Sequence, residues 1–174
     1  MSKGLIHVYT GDGKGKTTAA FGLAMRAAGQ GRKVLVLQFL KSGMHAGEIK
    51  SAKKVGIKVI QFKNQTTPLF DPSVKRSELK KTIREDIAFS LEKIKKGGFD
   101  LIIMEEFNNV MGGGYATVSD LREILREKPE FLELVFTGRS APAELIEAAD
   151  YVTEMRMIKH PASNGVMARK GIEY

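Results

Sequence analysis

Thr10-Gly11-Asp12-Gly13-Lys14-Gly15-Lys16-Thr17-Thr18 is the stretch that decides the fold. An apolar run, Leu5 to Tyr9, precedes it and reads as a buried strand; Ala19 to Gly29 follows it and reads as a helix. A glycine-rich turn between a strand and a helix gathers backbone N–H groups and the positive helix end around one anion. Lys16 adds a point charge and Thr17 a hydroxyl for a metal ion, so the segment reads as a cradle for a triphosphate. Gly-Lys-Thr alone is too short to carry that reading, and the flanking strand and helix supply the context it needs. One position departs from the usual pattern. A glycine normally stands five residues before Gly15, and here that place is Thr10, with Gly11 one position later. The loop is in effect one residue tighter.

Outward from the loop, strand-like and helical patterns alternate. Lys33 to Phe39 is a second strand without polar alternation, as expected when both faces are covered. Glu48 to Val55 reads as a short helix and Ile57 to Phe62 as a third strand. Leu79, Ile83, Ile87, Leu91 and Ile94 mark one face of a long charged helix that stops at Gly97-Gly98. Phe99 to Met104 is a fourth strand; Val118, Leu121, Ile124 and Leu125 mark a helix capped by Thr117; Phe131 to Phe136 is a fifth strand. Pro142 to Ala149 reads as a helix opened by proline, and Tyr151 to Met157 as a sixth strand. This order predicts an α/β fold, a mostly parallel sheet of about six strands with helices on both faces. Residues 1–174 read as one domain, with 159–174 an irregular C-terminal tail.

Ligands of such sheets sit at the carboxyl ends of the strands. That rule selects the loop itself, Gln38-Phe39-Leu40-Lys41, Glu105-Glu106, Thr137-Gly138-Arg139 and Lys159-His160. A carboxylate ending an apolar strand opposite a phosphate loop is where magnesium would be held. Strand alternation puts Glu105 and Glu106 on opposite sides, so only one of them is expected to reach the metal. Arg139 and Lys159 are cations at the same edge, suited to phosphate oxygens, Arg139 with two-pronged geometry. His7, His45 and His160 form no ligand set: His7 reads as a satisfied core histidine, and His160 alone lies at the functional edge. Lys63 to Val74, the least patterned stretch, reads as a mobile, substrate-facing loop.

Composition narrows the class. The chain has no cysteine, which excludes disulfides and thiolate metal sites and agrees with a reducing cytoplasm. It shows neither a membrane-length apolar run nor a signal-peptide core at Met1-Ser2-Lys3-Gly4, so a cytoplasmic protein is expected. The net charge of +8 comes from dispersed lysines without interleaved aromatic residues, which reads as solvated faces and argues against a nucleic-acid partner. No serine–histidine–acid or paired-carboxylate hydrolase pattern stands out, so nothing demands a nucleophile from the protein. The residues themselves thus point to a magnesium–nucleotide enzyme. They leave open phosphoryl transfer, hydrolysis, another use of ATP, or a nucleotide-responsive binding protein.

The wording of the chain resembles one family closely. Tyr9 to Thr18 with Ala19-Ala20-Phe21-Gly22, Arg26, Val36 to Lys41, Gly47-Glu48, Glu105-Glu106, Thr137-Gly138-Arg139, Ala149-Asp150, Thr153 to Arg156, Lys159-His160, and Gly165-Val166 through Gly171-Ile172-Glu173-Tyr174 occur in order. Together they are similar to the P-loop type of ATP:corrinoid adenosyltransferases. The resemblance implies a RecA-like P-loop NTPase fold, a homodimer, and transfer of the 5′-deoxyadenosyl group of ATP to the reduced cobalt of a corrinoid, leaving triphosphate. An electron-donating reductase is a further expected partner. The resemblance assigns Gly11, Asp12, Gly13, Lys14, Gly15, Lys16, Thr17, Thr18, Arg26, Arg139 and Lys159 to ATP. It assigns Thr17 and Glu106 to magnesium, and Lys16 and Glu106 to catalysis.

Three positions depart from the family pattern. Asp12 stands where asparagine is usual, and an acid beside triphosphate needs a compensating cation, for which Lys14 is the nearest choice. Glu105-Glu106 stands where Asp-Glu is usual. Relatives carry a Phe-Thr-Trp segment against the corrinoid, whereas this chain has no tryptophan. The resemblance leaves Phe39, Lys41, Leu69 and Phe70 as the corrinoid-facing residues.

Overall fold

A computed structural model describes residues 3–41 and 46–174; Met1, Ser2 and His45 lie outside the described residues. The elements run β1 (Ile6–Thr10), α1 (Lys16–Gly29), β2 (Val34–Gln38), α2 (Gly47–Lys54), β3 (Lys58–Gln61), α3 (Arg76–Lys96), β4 (Leu101–Glu105), α4 (Phe107–Gly112), α5 (Val118–Glu127), β5 (Glu133–Thr137), α6 (Ala143–Ala148) and β6 (Tyr151–Glu154). All six strands form one sheet in the order β3-β2-β4-β5-β1-β6, and every pairing is parallel.

The unbroken apolar runs of β2 and β4 conceal a strict division between the two faces. Leu35, Leu37, Ile102, Met104, Leu134 and Phe136 face a core closed by Leu79, Ile83, Ile87 and Ile94 of α3 and by Leu121 and Ile124 of α5. Val34, Val36, Leu101, Ile103 and Val135 face the other layer, made by Ala20, Phe21 and Ala24 of α1 and Ala52 of α2. The small alanines let α1 lie close against the sheet, which fixes where the loop at its N-terminus sits. Helix α5 begins as expected at Thr117: its hydroxyl accepts the Asp120 N–H at 3.2 Å and the Asp120 carboxylate accepts the Thr117 N–H at 2.7 Å. Such a box stabilises a helix start by about 1 kcal/mol.

Two expected boundaries move, one helix is new, and the tail gains a turn. The helix after the loop already begins at Lys16, because Lys16 and Thr17 form its first turn. The sixth strand ends at Glu154 rather than at Met157. Its partner β1 stops at Thr10, and Met155 turns into the loop, giving its N–H to the Thr10 carbonyl at 2.9 Å and accepting the Gly13 N–H at 2.7 Å. Helix α4 has no counterpart in the sequence pattern. The tail is irregular apart from a 3₁₀ turn at Pro161–Asn164, and it folds back toward the phosphate loop.

Candidate active site

A cavity of about 840 Å³ opens at the carboxyl edge of the sheet. It is lined by the loop from Asp12 to Thr18, by Phe21, Gly22 and Met25 of α1, by Gln38 and Lys41 after β2, by Glu106 and Asn109 after β4, and by Arg139 after β5. His160 and the tail residues Gly171 to Tyr174 close one side. Loop residues Asp12 to Thr18, with Lys41, Glu106 and Arg139, are therefore brought together.

The glycines of the loop answer first to the protein itself. A Cβ at Gly11 would stand 2.5 Å from the Met155 carbonyl oxygen, and one at Gly13 would stand 2.7 Å from it. Gly11 also adopts a φ of 92°, which disfavours any side chain. Thr10 uses what a glycine lacks: its hydroxyl accepts the Ala141 N–H at 3.1 Å and so holds the segment after β5. The amine of Lys16 folds over the loop and donates to the carbonyls of Gly11 and Gly13 at 2.6 and 2.7 Å. Burial lowers the Lys16 pKa from its ordinary value, opposed by the nearby Glu106 carboxylate.

The acid pair departs from its expected geometry. Glu105 shares the face of Leu101 and Ile103, the face covered by α1, and is 0% exposed. Its carboxylate accepts from Gln38 Nε2 at 2.5 Å and from Lys41 Nζ at 2.5 Å. Glu106 should then point to the opposite face. Instead the strand ends, Glu106 takes a left-handed φ of 63°, and α4 begins there. That turn brings Glu106 Oε1 to 4.0 Å from the same Lys41 ammonium. Both acids thus converge, because alternation holds only within the strand.

Lys41 also donates to Thr17 Oγ1 at 3.1 Å, so its ammonium stands among one hydroxyl and two carboxylates. Oxygen donors of this kind suit magnesium, and the residues present fit that ion. Burial raises the Glu106 pKa above its ordinary value, with Lys41 pulling the other way. Asn109, which no sequence pattern signalled, spans the site: its amide nitrogen donates to Glu106 and its oxygen accepts the Arg139 N–H at 2.6 Å. Thr137 Oγ1 accepts the Glu106 N–H at 3.1 Å.

The cation beside Asp12 is Arg139, whose Nε lies 3.7 Å from the carboxylate. Lys14 instead reaches Glu173 at 3.3 Å, and the Arg169 side chain holds the Glu173 carboxyl down to about 2. Arg26 and Lys159 are exposed and stand outside the cavity lining. Phe39, expected to face a corrinoid, is a core residue at 0% exposure, packed between Phe62 and Phe107. Leu69 and Phe70 stand clear of the cavity wall at 85% and 79% exposure. His7 is satisfied by Glu133 and stacks on Tyr151, and His160 Nδ1 accepts the Ala162 N–H at 3.2 Å.

Residues 2–174 match the family model described as ATP:corrinoid adenosyltransferase BtuR/CobO/CobP. The chain belongs to the ATP:corrinoid adenosyltransferase family. Proteins named corrinoid adenosyltransferase are similar over nearly its whole length. That of Escherichia coli K12 is 33% identical, with 99% of this chain and 86% of the relative covered. One from Sinorhizobium is 35% identical, covering 99% and 81%. The CobA protein of Salmonella typhimurium is 30% identical, covering 99% and 86%. Among solved structures, the RadB recombinase superposes with a TM-score of 0.53 at 15% identity, covering 92% of this chain and 78% of that one. That likeness establishes the RecA-like fold of this adenosyltransferase family member and nothing of its chemistry.

Proposed function

We propose that this protein transfers the 5′-deoxyadenosyl group of ATP to the Co(I) centre of a reduced corrinoid and releases triphosphate. Family membership across residues 2–174 is the observation that carries the reading. The cobalt lone pair attacks the ribose C5′, a cobalt–carbon bond forms, and the C5′–O bond breaks with its electrons leaving on triphosphate. The nucleophile arrives with the substrate, which accords with a site rich in charge and poor in nucleophilic side chains.

The work of the protein is then to hold, orient and neutralise. The N–H groups at the start of α1 and the Lys16 amine take the triphosphate, and Arg139 adds charge from the opposite wall. Magnesium, held by Thr17 and Glu106, would supply further charge against the departing oxygens. The buried Glu105–Lys41 pair fixes the ammonium beside Thr17. Leu69 and Phe70 offer apolar surface to the corrinoid in place of the family's aromatic segment. A homodimer, a cytoplasmic location, a single domain and an electron-donating reductase complete the proposal. Among the described residues no helix is long and apolar enough to cross a membrane.

The deciding experiment combines the protein with magnesium, ATP and chemically reduced cobalamin, follows the absorbance change of adenosylation, and identifies the phosphate product. Adenosylcorrinoid and triphosphate in equal amounts are expected. Orthophosphate or ADP without adenosylcorrinoid would overturn the proposal in favour of an ordinary NTPase.

A further inference from the structure

Gln65 lies in the segment between β3 and α3, where polar side chains normally face water, yet it is 1% exposed. Its amide is used at both ends. The oxygen accepts the Leu40 N–H at 2.7 Å, and the nitrogen donates to Asp86 of α3 at 2.6 Å. Leu40 holds a left-handed φ of 53° immediately before Lys41, so the accepted N–H belongs to the residue that aims Lys41 at Thr17 and Glu105. A non-glycine residue persists there only when its surroundings over-determine it.

On its other side Gln65 leads into a tight turn. Thr67 O accepts the N–H groups of Phe70 and Asp71 at 2.9 and 3.0 Å, and Asp71 in turn holds the N–H and hydroxyl of Ser73 at 3.0 and 2.6 Å. These hydrogen bonds stay within the turn, while Leu69 and Phe70 project from its tip largely exposed. The foot of the turn is fastened at Gln65.

We infer that Gln65 is a positioning residue, binding the phosphate-side cation Lys41 and the Leu69–Phe70 tip into one frame so that acceptor and nucleotide meet in register. This rests on the adenosyltransferase reading above. The chemistry is specific to a primary amide: one neutral side chain must accept from a backbone N–H and donate to a carboxylate. Leucine would strand both partners in a buried place, and glutamate would set two carboxylates against each other. Burial raises the Asp86 pKa, and the Gln65 amide opposes that shift, in keeping with a contact to the ionised carboxylate.

The test compares wild type, Gln65→Ala, and the double variant Gln65→Glu with Asp86→Asn, which exchanges amide and carboxylate while keeping both hydrogen bonds. In Gln65→Ala, kcat/KM for reduced cobalamin should fall on the order of 10- to 100-fold, since a misplacement of ~1 Å is enough for that, while ATP affinity falls by much less because Glu105 still holds the Lys41 ammonium. The double variant should recover most of the loss. The chain has no tryptophan, so Phe70→Trp gives a single reporter at the tip. Its anisotropy should fall when Gln65→Ala is added and return with the exchanged pair. Wild-type transfer in Gln65→Ala, a parallel loss of ATP binding and transfer, or a folded double variant without recovery would each overturn the inference. If wild type forms no adenosylcorrinoid, the enzymatic reading fails separately. The anisotropy series then decides the tether alone, and an unchanged signal refutes it.

Discussion

Lys41→Met isolates the energetics of the buried pair. Glu105 is wholly shielded from water, and methionine would leave its charge with the Gln38 amide but without the ammonium at 2.5 Å. Removing one member of a buried pair costs about 3–5 kcal/mol, because the surviving charge is left uncompensated. The Lys41 side chain keeps 15% of its surface exposed at the cavity, so some water can replace it and the lower figure applies, about 3 kcal/mol. For a chain of this length that is a fall of about 6–12 °C in thermal midpoint. The measurement is urea unfolding followed by far-ultraviolet circular dichroism at pH 7. Adding Glu105→Gln removes the stranded charge, and the double variant should regain about 2 kcal/mol over Lys41→Met alone. A loss under ~1 kcal/mol for Lys41→Met, or a double variant less stable than the two single effects added together, would refute the pair as the stabilising element.

Gly13→Ala should lower stability by about 2 kcal/mol and weaken ATP binding, since its Cβ would press on the Met155 and Arg156 carbonyls at 2.7 and 2.8 Å. Gly29→Ala, which meets nothing within 4 Å at the end of α1, should gain a few tenths of a kcal/mol in the same urea-unfolding assay. Lys16→Ala should reduce adenosyl transfer on the order of 100-fold or more in the cobalamin absorbance assay, with the fold intact by circular dichroism. Glu106 gives a proton-linked signature. Its raised folded pKa favours the neutral acid, whereas a bound cation favours the carboxylate, so binding magnesium–ATP should release a proton. Affinity should rise with pH from 4.5 up through the raised value, and calorimetry in two buffers of different ionisation heat should show it. In Glu106→Gln the proton release should vanish, and stability above the folded pKa should be maintained, because the stabilising contribution of a raised acid is present below 4.5 and lost as pH rises through its folded pKa.

The strands were legible because β2 and β4 are covered on both faces and therefore apolar throughout; for the same reason, which residue faces which layer was not. The loop is legible from its context, but nothing in its pattern shows that Gly11 and Gly13 lie against the backbone of Met155 and, for Gly13, of Arg156. The convergence of Glu105 and Glu106 was hidden because one left-handed residue reverses what alternation implies. Asn109 and Gln65 each act through a single amide, and isolated amides carry no periodic signal. Phe39 misleads for the opposite reason: its position at a strand end points to a ligand, while its side chain completes an aromatic cluster inside the core.

The contact between the phosphate loop and Met155 orders events during synthesis. The strand that carries the loop leaves the ribosome well before its neighbours β5 and β6, as in the Ile6 to Asp150 hydrogen bond spanning 144 positions. Until those strands emerge, Gly13 lacks its partner carbonyl and β1 has no sheet to join. Contacts this distant in sequence form late and slowly. A chain in which β5 and β6 have yet to emerge should therefore bind ATP poorly, so nucleotide capture would report the assembly of this side of the sheet.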